Sequence, residues 1–187
     1  MLLDRINGKL RGIYLNWKLY RTDFQGIGAN CEWHGGVITD SQNISIGDYV
    51  YLGPAVQLHG RGGITIGEGT IFGPRVTIHS SNHNIEAPEY LPYDQITVAK
   101  PVSIGRAVWI GDQVMICPGV NVGDGCVVGM GSVVAKSLPP YSVCAGNPCR
   151  VIRFRDDLQR LENLLRDSNL YMQAKSSGKL KSSVVYK

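Results

Sequence analysis

Bulky apolar residues recur at every sixth position along most of this chain, and few folds accommodate that spacing. Ile46, Leu52 and Leu58 are six apart, as are Ile66, Phe72 and Ile78. Ile104, Ile110, Ile116, Val122, Val128 and Val134 continue the count. Two positions earlier stands a second residue, mostly apolar: Ile44, Val50, Val56, Ile64, Thr70, Val76, Val102, Val108, Val114, Val120, Cys126 and Ser132. A period of six matches neither the turn of an α-helix nor one long strand. It matches short strands joined by corners, each turning the two positions of its unit to one side. Glycine follows the unit at Gly47, Gly53, Gly67, Gly73, Gly105, Gly111, Gly123 and Gly129, where a Cβ would clash as the chain turns. Three units close a triangular coil of about eighteen residues, and stacked coils pair as parallel strands about 4.8 Å apart around a shared interior. Twelve units make about four coils, and residues 26–43 add an irregular first one. The expected fold is therefore all-β, a parallel β-helix.

Two interruptions break the period. The step from Leu58 to Ile66 is eight residues, so "GRGG" adds a two-residue bulge at a corner. The step from Ile78 to Ile104 is twenty-six, so a loop, residues 79–101, leaves the coil. It holds three prolines, Tyr90 and Tyr93, the acids Glu86, Glu89 and Asp94, and His83. A loop of this length on a rigid scaffold is a usual place for chemistry, and imidazole can accept a proton near neutral pH. His59 and His79 each follow the third apolar unit of their coil, so they should stack about 4.8 Å apart near the loop's exit.

The chain has 187 residues and a net charge of +4, unevenly placed. Residues 1–22 carry a net +4 and residues 174–187 another +4, which leaves the body between them at −4. A mildly acidic body argues against a nucleic-acid groove. The five cysteines are odd in number and form no CxxC pair, which fits reduced, buried thiols, and no metal site is expected among them. No apolar run approaches the ~20 residues of a membrane span, and charges interrupt the N-terminus, so no signal peptide is read and a cytoplasmic location is expected.

The segments "SSNHNI" and "AKPVSIGRAVWIGDQVMICPGVNVGDGCVVGMGSVVAKSLPPYSVCAGNPCRVI", within residues 44–155, resemble the hexapeptide-repeat acyltransferases, in the branch of the galactoside, maltose and polysaccharide O-acetyltransferases. The resemblance implies a left-handed coil, acetyl-CoA as co-substrate, and a homotrimer with active sites between subunits. It implies His83 as the general base that activates an acceptor hydroxyl for direct attack on the thioester, and the backbone N–H of Asp112, after "VWIG", as a donor to the oxyanion. Lys136, Arg150 and Arg153 fall on the coenzyme end, with Met130 and Ala135 lining the pantetheine arm through their backbones and Trp109 walling the tunnel. Many relatives have threonine at the place of Ala135. The sugar-binding asparagine and acids of galactoside acetyltransferases have no secure counterpart, since Gly53, Ala55 and Gln57 stand nearby. His59, His79, Glu86 and Tyr93 are the candidates for the acceptor side, and a sugar or glycan precursor is the expected acceptor. N-acetylation of an amino sugar or small amine is the alternative. Two further readings use the same fold: a γ-type carbonic anhydrase with three zinc-bound histidines, and a non-catalytic assembly module.

Residues 1–25 are expected to form an amphipathic helix, with Leu3, Ile6, Leu10, Ile13, Trp17 and Tyr20 on one stripe and basic residues between them. It either caps the open end of the stack or makes peripheral contact with an anionic membrane through residues 2–20. The β-helix should span 26–140 and end at "PPYSV", because proline supplies no ladder N–H. A coenzyme-side strand at 141–155 should follow. Residues 156–187 should give one short helix, about 156–172, and a mobile tail, "KSSGKLKSSVVYK".

Overall fold

The structure, a computed structural model, describes residues 2–180 and 183. Its body is a three-sided left-handed parallel β-helix of about six coils. The first face carries the strands Gly26–Ile27, Ile44–Ile46, Ile64–Ile66, Val102–Ile104 and Asn121–Val122. The second carries Glu32–Trp33, Tyr51–Leu52, Ile71–Phe72, Trp109–Ile110, Val127–Val128 and Ser142–Ala145, closed by the antiparallel strand Arg150–Phe154. The third carries Gly36–Thr39, Val56–His59, Thr77–His79, Met115–Ile116 and Val133–Val134. Register keeps equivalent unit positions in vertical columns, as in Ile46, Ile66, Ile104 and Val122.

The residues counted in sixes line the interior. Leu52, Leu58, Phe72, Ile78 and Ile110 are fully buried. The polar members of the repeat, Thr70 and Ser132, are also fully buried. Their hydroxyls are satisfied: Thr70 Oγ1 donates to the carbonyl of Gly105 at 2.8 Å, and Ser132 Oγ donates to that of Gly129 at 2.6 Å. A buried hydroxyl with a partner avoids the penalty of a lost hydrogen bond.

The corner glycines are needed because the next coil lies so close. A Cβ on Gly47 would sit 2.7 Å from the amide N of Glu68, and one on Gly111 2.7 Å from that of Met130. The left-handed backbone expected of corners lies two residues further on. There Tyr49, Ala55, Arg75, Ala107 and Gln113 adopt φ between 51° and 59°.

Helix α1, Leu2–Arg21, caps the first coil. Strand Glu32–Trp33 has a neighbouring coil on one side only, so two backbone amides at its other edge need partners. Cys31 N–H donates to Tyr20 Oη at 2.7 Å, and Trp33 N–H donates to Asn16 Oδ1 at 3.0 Å. Leu19 is fully buried in the core and Leu15 packs against it. The capping side is thus Leu15, Asn16 and Leu19, whereas the predicted stripe members Leu10, Ile13 and Trp17 face outward. Leu3 and Ile6 lie outside the residues whose side chains are described. Asn16 on this side supplies the acceptor that the strand edge needs, which an all-apolar stripe could not.

Three other details differ from expectation. The repeat continues past "PPYSV": Ser142–Ala145 pairs in parallel with Val127–Val128. Pro139 and Pro140 occupy a corner rather than a strand, so their missing N–H groups break no ladder. The segment expected on the coenzyme side as one strand is a hairpin of two, Ser142–Ala145 and Arg150–Phe154. The C-terminal helix is two helices, α2 at Leu158–Arg166 and α3 at Tyr171–Ser176. They run back along one corner, with Leu161, Leu165, Leu170 and Met172 buried, and Leu170 lies over Gly69. Lys175, the first residue of the expected tail, is held in α3 and bonds to Glu32 at 3.2 Å. Residues 181, 182 and 184–187 of that tail lie outside the described residues.

Candidate active site

The excursion after Ile78 begins as a ribbon. Ser81–His83 pairs antiparallel with Thr97–Ala99, opposite His83 being Thr97. Beyond the ribbon Asp94 ties the loop to itself. Its carboxylate accepts from Asn84 Nδ2 and from the backbone N–H of Ile96, both at 2.8 Å. Asp94 therefore holds the loop together. Tyr93, one residue before, is left stacked on the imidazole of His83 with ring centroids 3.8 Å apart.

His59 and His79 are directly paired across adjacent coils, and their rings stack at 4.3 Å. A hollow of about 380 Å³ is lined by His59, His79 and His83 together with Thr39, Asp40 and Arg61. All three histidines thus meet on one edge of the third face. Thr39 Oγ1 lies 3.4 Å from His59 Nδ1, and Arg61 Nε is 4.0 Å from Asp40 Oδ1. Burial pushes the His59 imidazole below its ordinary pKa, the neighbouring His79 adds to that, and Asp40 opposes both. Among the described residues no three His, Cys, Asp or Glu side chains converge as metal ligands.

On the other side of His79 the surface becomes apolar. A second hollow, about 290 Å³, is lined by His79, Asn82, Met115, Cys117, Pro118 and Val133. His79, Ser81 and Asn82 border both hollows, so a polar recess and an apolar one adjoin beside His83. A larger crevice of about 590 Å³ lies between Tyr49 and residues 167–180 and contains none of the predicted site residues.

The remaining predicted residues sit elsewhere. Trp109 projects from the second face, flanked by Ile71 and Val127 on adjacent coils. Asp112 follows at the next corner. Its carbonyl accepts from Gly131 N–H at 2.8 Å, while its own N–H donates to no group among the described residues. Its carboxylate lies over Gly73, toward the preceding coil. Met130, Ala135 and Lys136 are exposed around the fifth coil. Arg150 Nη1 donates to the carbonyl of Cys149 at 2.9 Å. Arg153 is exposed and 3.9 Å from Asp156, whereas Arg155 turns inward to the carbonyl of Gly125 at 3.0 Å. Glu86 stands exposed on the loop, outside the hollow beside His83.

Thr39, Asp40 and Arg61, outside the loop, and Ser81, Asn82 and Thr97, on its ribbon, are the lining residues that the sequence did not single out. Thr39 and Asp40 belong to the first coil, where no hexad phase locates a residue. Arg61 lies in the two-residue bulge, and that bulge at the histidine corner was the available signal.

Coils of this kind resemble those of the hexapeptide-repeat β-helix proteins. The family model described as "Bacterial transferase hexapeptide (six repeats)" matches residues 101–136. Solved structures extend the likeness over most of the chain. A hexapeptide-repeat-containing acetyltransferase from Vibrio cholerae is 27% identical, with a TM-score of 0.68 over 82% of this chain and 91% of that one. A galactoside acetyltransferase in complex with coenzyme A is 29% identical, with a TM-score of 0.64 over 83% of this chain and 82% of that one. A maltose O-acetyltransferase from Clostridium difficile 630 is 28% identical, with a TM-score of 0.54 over 80% and 84%. The resemblance read from the motifs is therefore to the group that these comparisons also find.

Proposed function

We propose that this protein transfers an acetyl group from acetyl-CoA to a hydroxyl of a sugar or glycan precursor. The observation that carries the reading is His83, lining a polar hollow that shares His79, Ser81 and Asn82 with an adjoining apolar one, in a chain 27–29% identical to acetyltransferases, one of them solved with coenzyme A. Neutral His83 takes the proton of the acceptor hydroxyl as its oxygen attacks the thioester carbonyl. The resulting oxyanion is met by the Asp112 N–H. Collapse breaks the carbon–sulfur bond, the imidazolium returns its proton to the leaving thiolate, and the products are an O-acetyl ester and free coenzyme A. No enzyme nucleophile is needed, which agrees with the absence of a G-x-S-x-G elbow from the sequence.

The coenzyme phosphates fit Lys136, Arg150 and Arg153, whose side chains are cationic and exposed. Met130 and Ala135 line the arm and Trp109 walls it. His59, His79 and Tyr93 border the acceptor, with Arg61 and Asp40 added to them. Glu86 serves the acceptor only from the loop's outer side. The working unit is a homotrimer in the cytoplasm. In it, the loop and His83 of one subunit face the coenzyme residues of the next, and the exposed Ile85, Leu91 and Ile96 find cover. Free thiol released from acetyl-CoA, measured across a panel of sugars and amines, tests the reading. Release with a hydroxyl sugar, lost in His83→Ala, supports it. Release only with amines replaces it by N-acetylation, and release with nothing overturns it.

A further inference from the structure

Helix α1 is apolar on two sides, and the coils use one of them. Leu15 and Leu19 face the stack. At 100° per residue, Leu10, Ile13, Tyr14 and Trp17 fall on the opposite side, and they are 60%, 67%, 56% and 57% exposed. Tyr14 and Trp17 stack on each other at 6.1 Å, so the stripe is one continuous surface. Lys9, Arg11, Lys18 and Arg21 border it, and among the described residues none of the four pairs with a carboxylate.

A second observation places more positive charge at this end. The C-terminal helices run back from the sixth coil to the first two: Lys175 meets Glu32 and Tyr51, while Lys179 and Leu180 lie beside Tyr49. Lys175 and Lys179 of the basic C-terminal segment are thus brought toward the end that carries α1, where Lys179 adds a cation beyond the Lys175–Glu32 pair.

We propose that this end of the β-helix docks on an anionic lipid bilayer, with α1 lying in the interface and its outward stripe entering the lipid. An apolar stripe flanked by cations is the pattern that binds such surfaces. Two copies joined through the same stripe would bring their eight bordering cations together, which disfavours that occupant. Capping and membrane contact, alternatives in the sequence, are compatible because they use opposite sides of the helix. A consequence that rests on the acetyltransferase reading concerns orientation. Thr39, His59 and His79 belong to the first three coils, nearest α1, whereas Lys136 and Arg150 belong to the last two. Docking would set the acceptor hollow near the lipid and leave the coenzyme side in solution.

The test is flotation of the full chain with vesicles of phosphatidylcholine alone or of an equal mixture with phosphatidylglycerol. Binding to the mixed vesicles, weakened by salt and absent with phosphatidylcholine alone, is expected. The double variant Ile13→Ser, Trp17→Ser should bind at least tenfold more weakly with an unchanged Tm, and Lys9→Gln, Lys18→Gln should lose affinity at low salt. Absence of binding by the unaltered chain, or equal binding by the Ile13/Trp17 variant, overturns the proposal. A smaller assembly of that variant in ultracentrifugation, without vesicle binding by the parent, would assign the stripe to a second copy instead. Acetyl transfer to a water-soluble sugar is measured in parallel, so loss of activity and loss of docking are scored separately.

Discussion

The imidazole of His83 and the ring of Tyr93 lie face to face, their centroids 3.8 Å apart and their planes within 12° of parallel. The pair joins the end of the ribbon to the far side of the loop, so the conformation of ten residues bears on where the imidazole points.

If His83 is the base, His83→Ala should lower kcat by about 10²–10⁴-fold and leave the secondary structure and oligomer size unchanged. Turnover by steady-state thiol release, with circular dichroism and sedimentation as controls, measures this. An unchanged rate would remove His83 from the mechanism.

If His83 is the base, the stacked Tyr93 ring would act by positioning it, so the ring rather than the hydroxyl should matter. Tyr93→Phe should keep kcat within about twofold. Tyr93→Ala should lower it by about tenfold, the scale of one aromatic pair at 0.5–1.5 kcal/mol. A pH–rate profile separates positioning from folding, because a misplaced imidazole shifts the profile while an unfolded fraction only scales it.

The proposed oxyanion donor is a backbone group, so Asp112→Ser should be mild. Gly73→Ala should be severe, because the added Cβ would stand 2.8 Å from the Asp112 amide N and against Oδ1 of the same residue. A fall in kcat of about 10²-fold or more is expected from displacing such a donor. Comparing the two variants at equal folded fraction checks the assignment.

His59 makes stability depend on pH. Its folded pKa is lowered by burial and by His79. Below the ordinary value of 6.5 the unfolded chain binds a proton that the folded chain resists. The unfolded state then holds more protons, and stability falls as pH drops from about 6.5 toward the folded value. Tm should decline over that window in the parent and decline less in His59→Gln. Equal slopes would show that the stacked pair carries no such linkage.

Phe72 is the largest fully buried side chain among the described residues. Phe72→Ala should destabilise the protein by about 3–5 kcal/mol, read from denaturant midpoints. Trp109→Ala, on the outer side of the same coil, should change stability by less than about 1 kcal/mol in the monomer and raise the KM for the coenzyme if it walls the tunnel.

Much of the body was legible because its signal is periodic. Each position from Ile44 to Val134 in the count of sixes could be set in a column, including Thr70 and Ser132, whose hydroxyls find partners among coil carbonyls. The histidine ladder followed from the same phase once the bulge at Arg61 was counted. What escaped lacked a period or depended on choosing one of two surfaces. Pro139 reads as a stop signal until it is known to fall at a corner. The stripe of α1 is the obvious face to bury, yet Leu15, Leu19 and the Asn16 amide serve the strand edge better, since an apolar stripe cannot satisfy the Trp33 N–H. Thr39 and Asp40 reach the histidines only through a first coil without regular spacing.

A ladder of stacked rungs that touch only their neighbours ordinarily unravels from its extremities. Here Lys175 meets Glu32 across 143 positions of sequence, and Leu170 presses on Gly69. The final segment therefore works as a strap that binds the last rung to the first ones. Peeling at either extremity must release both, so amide exchange in the outermost rungs should report a joint opening rather than independent fraying.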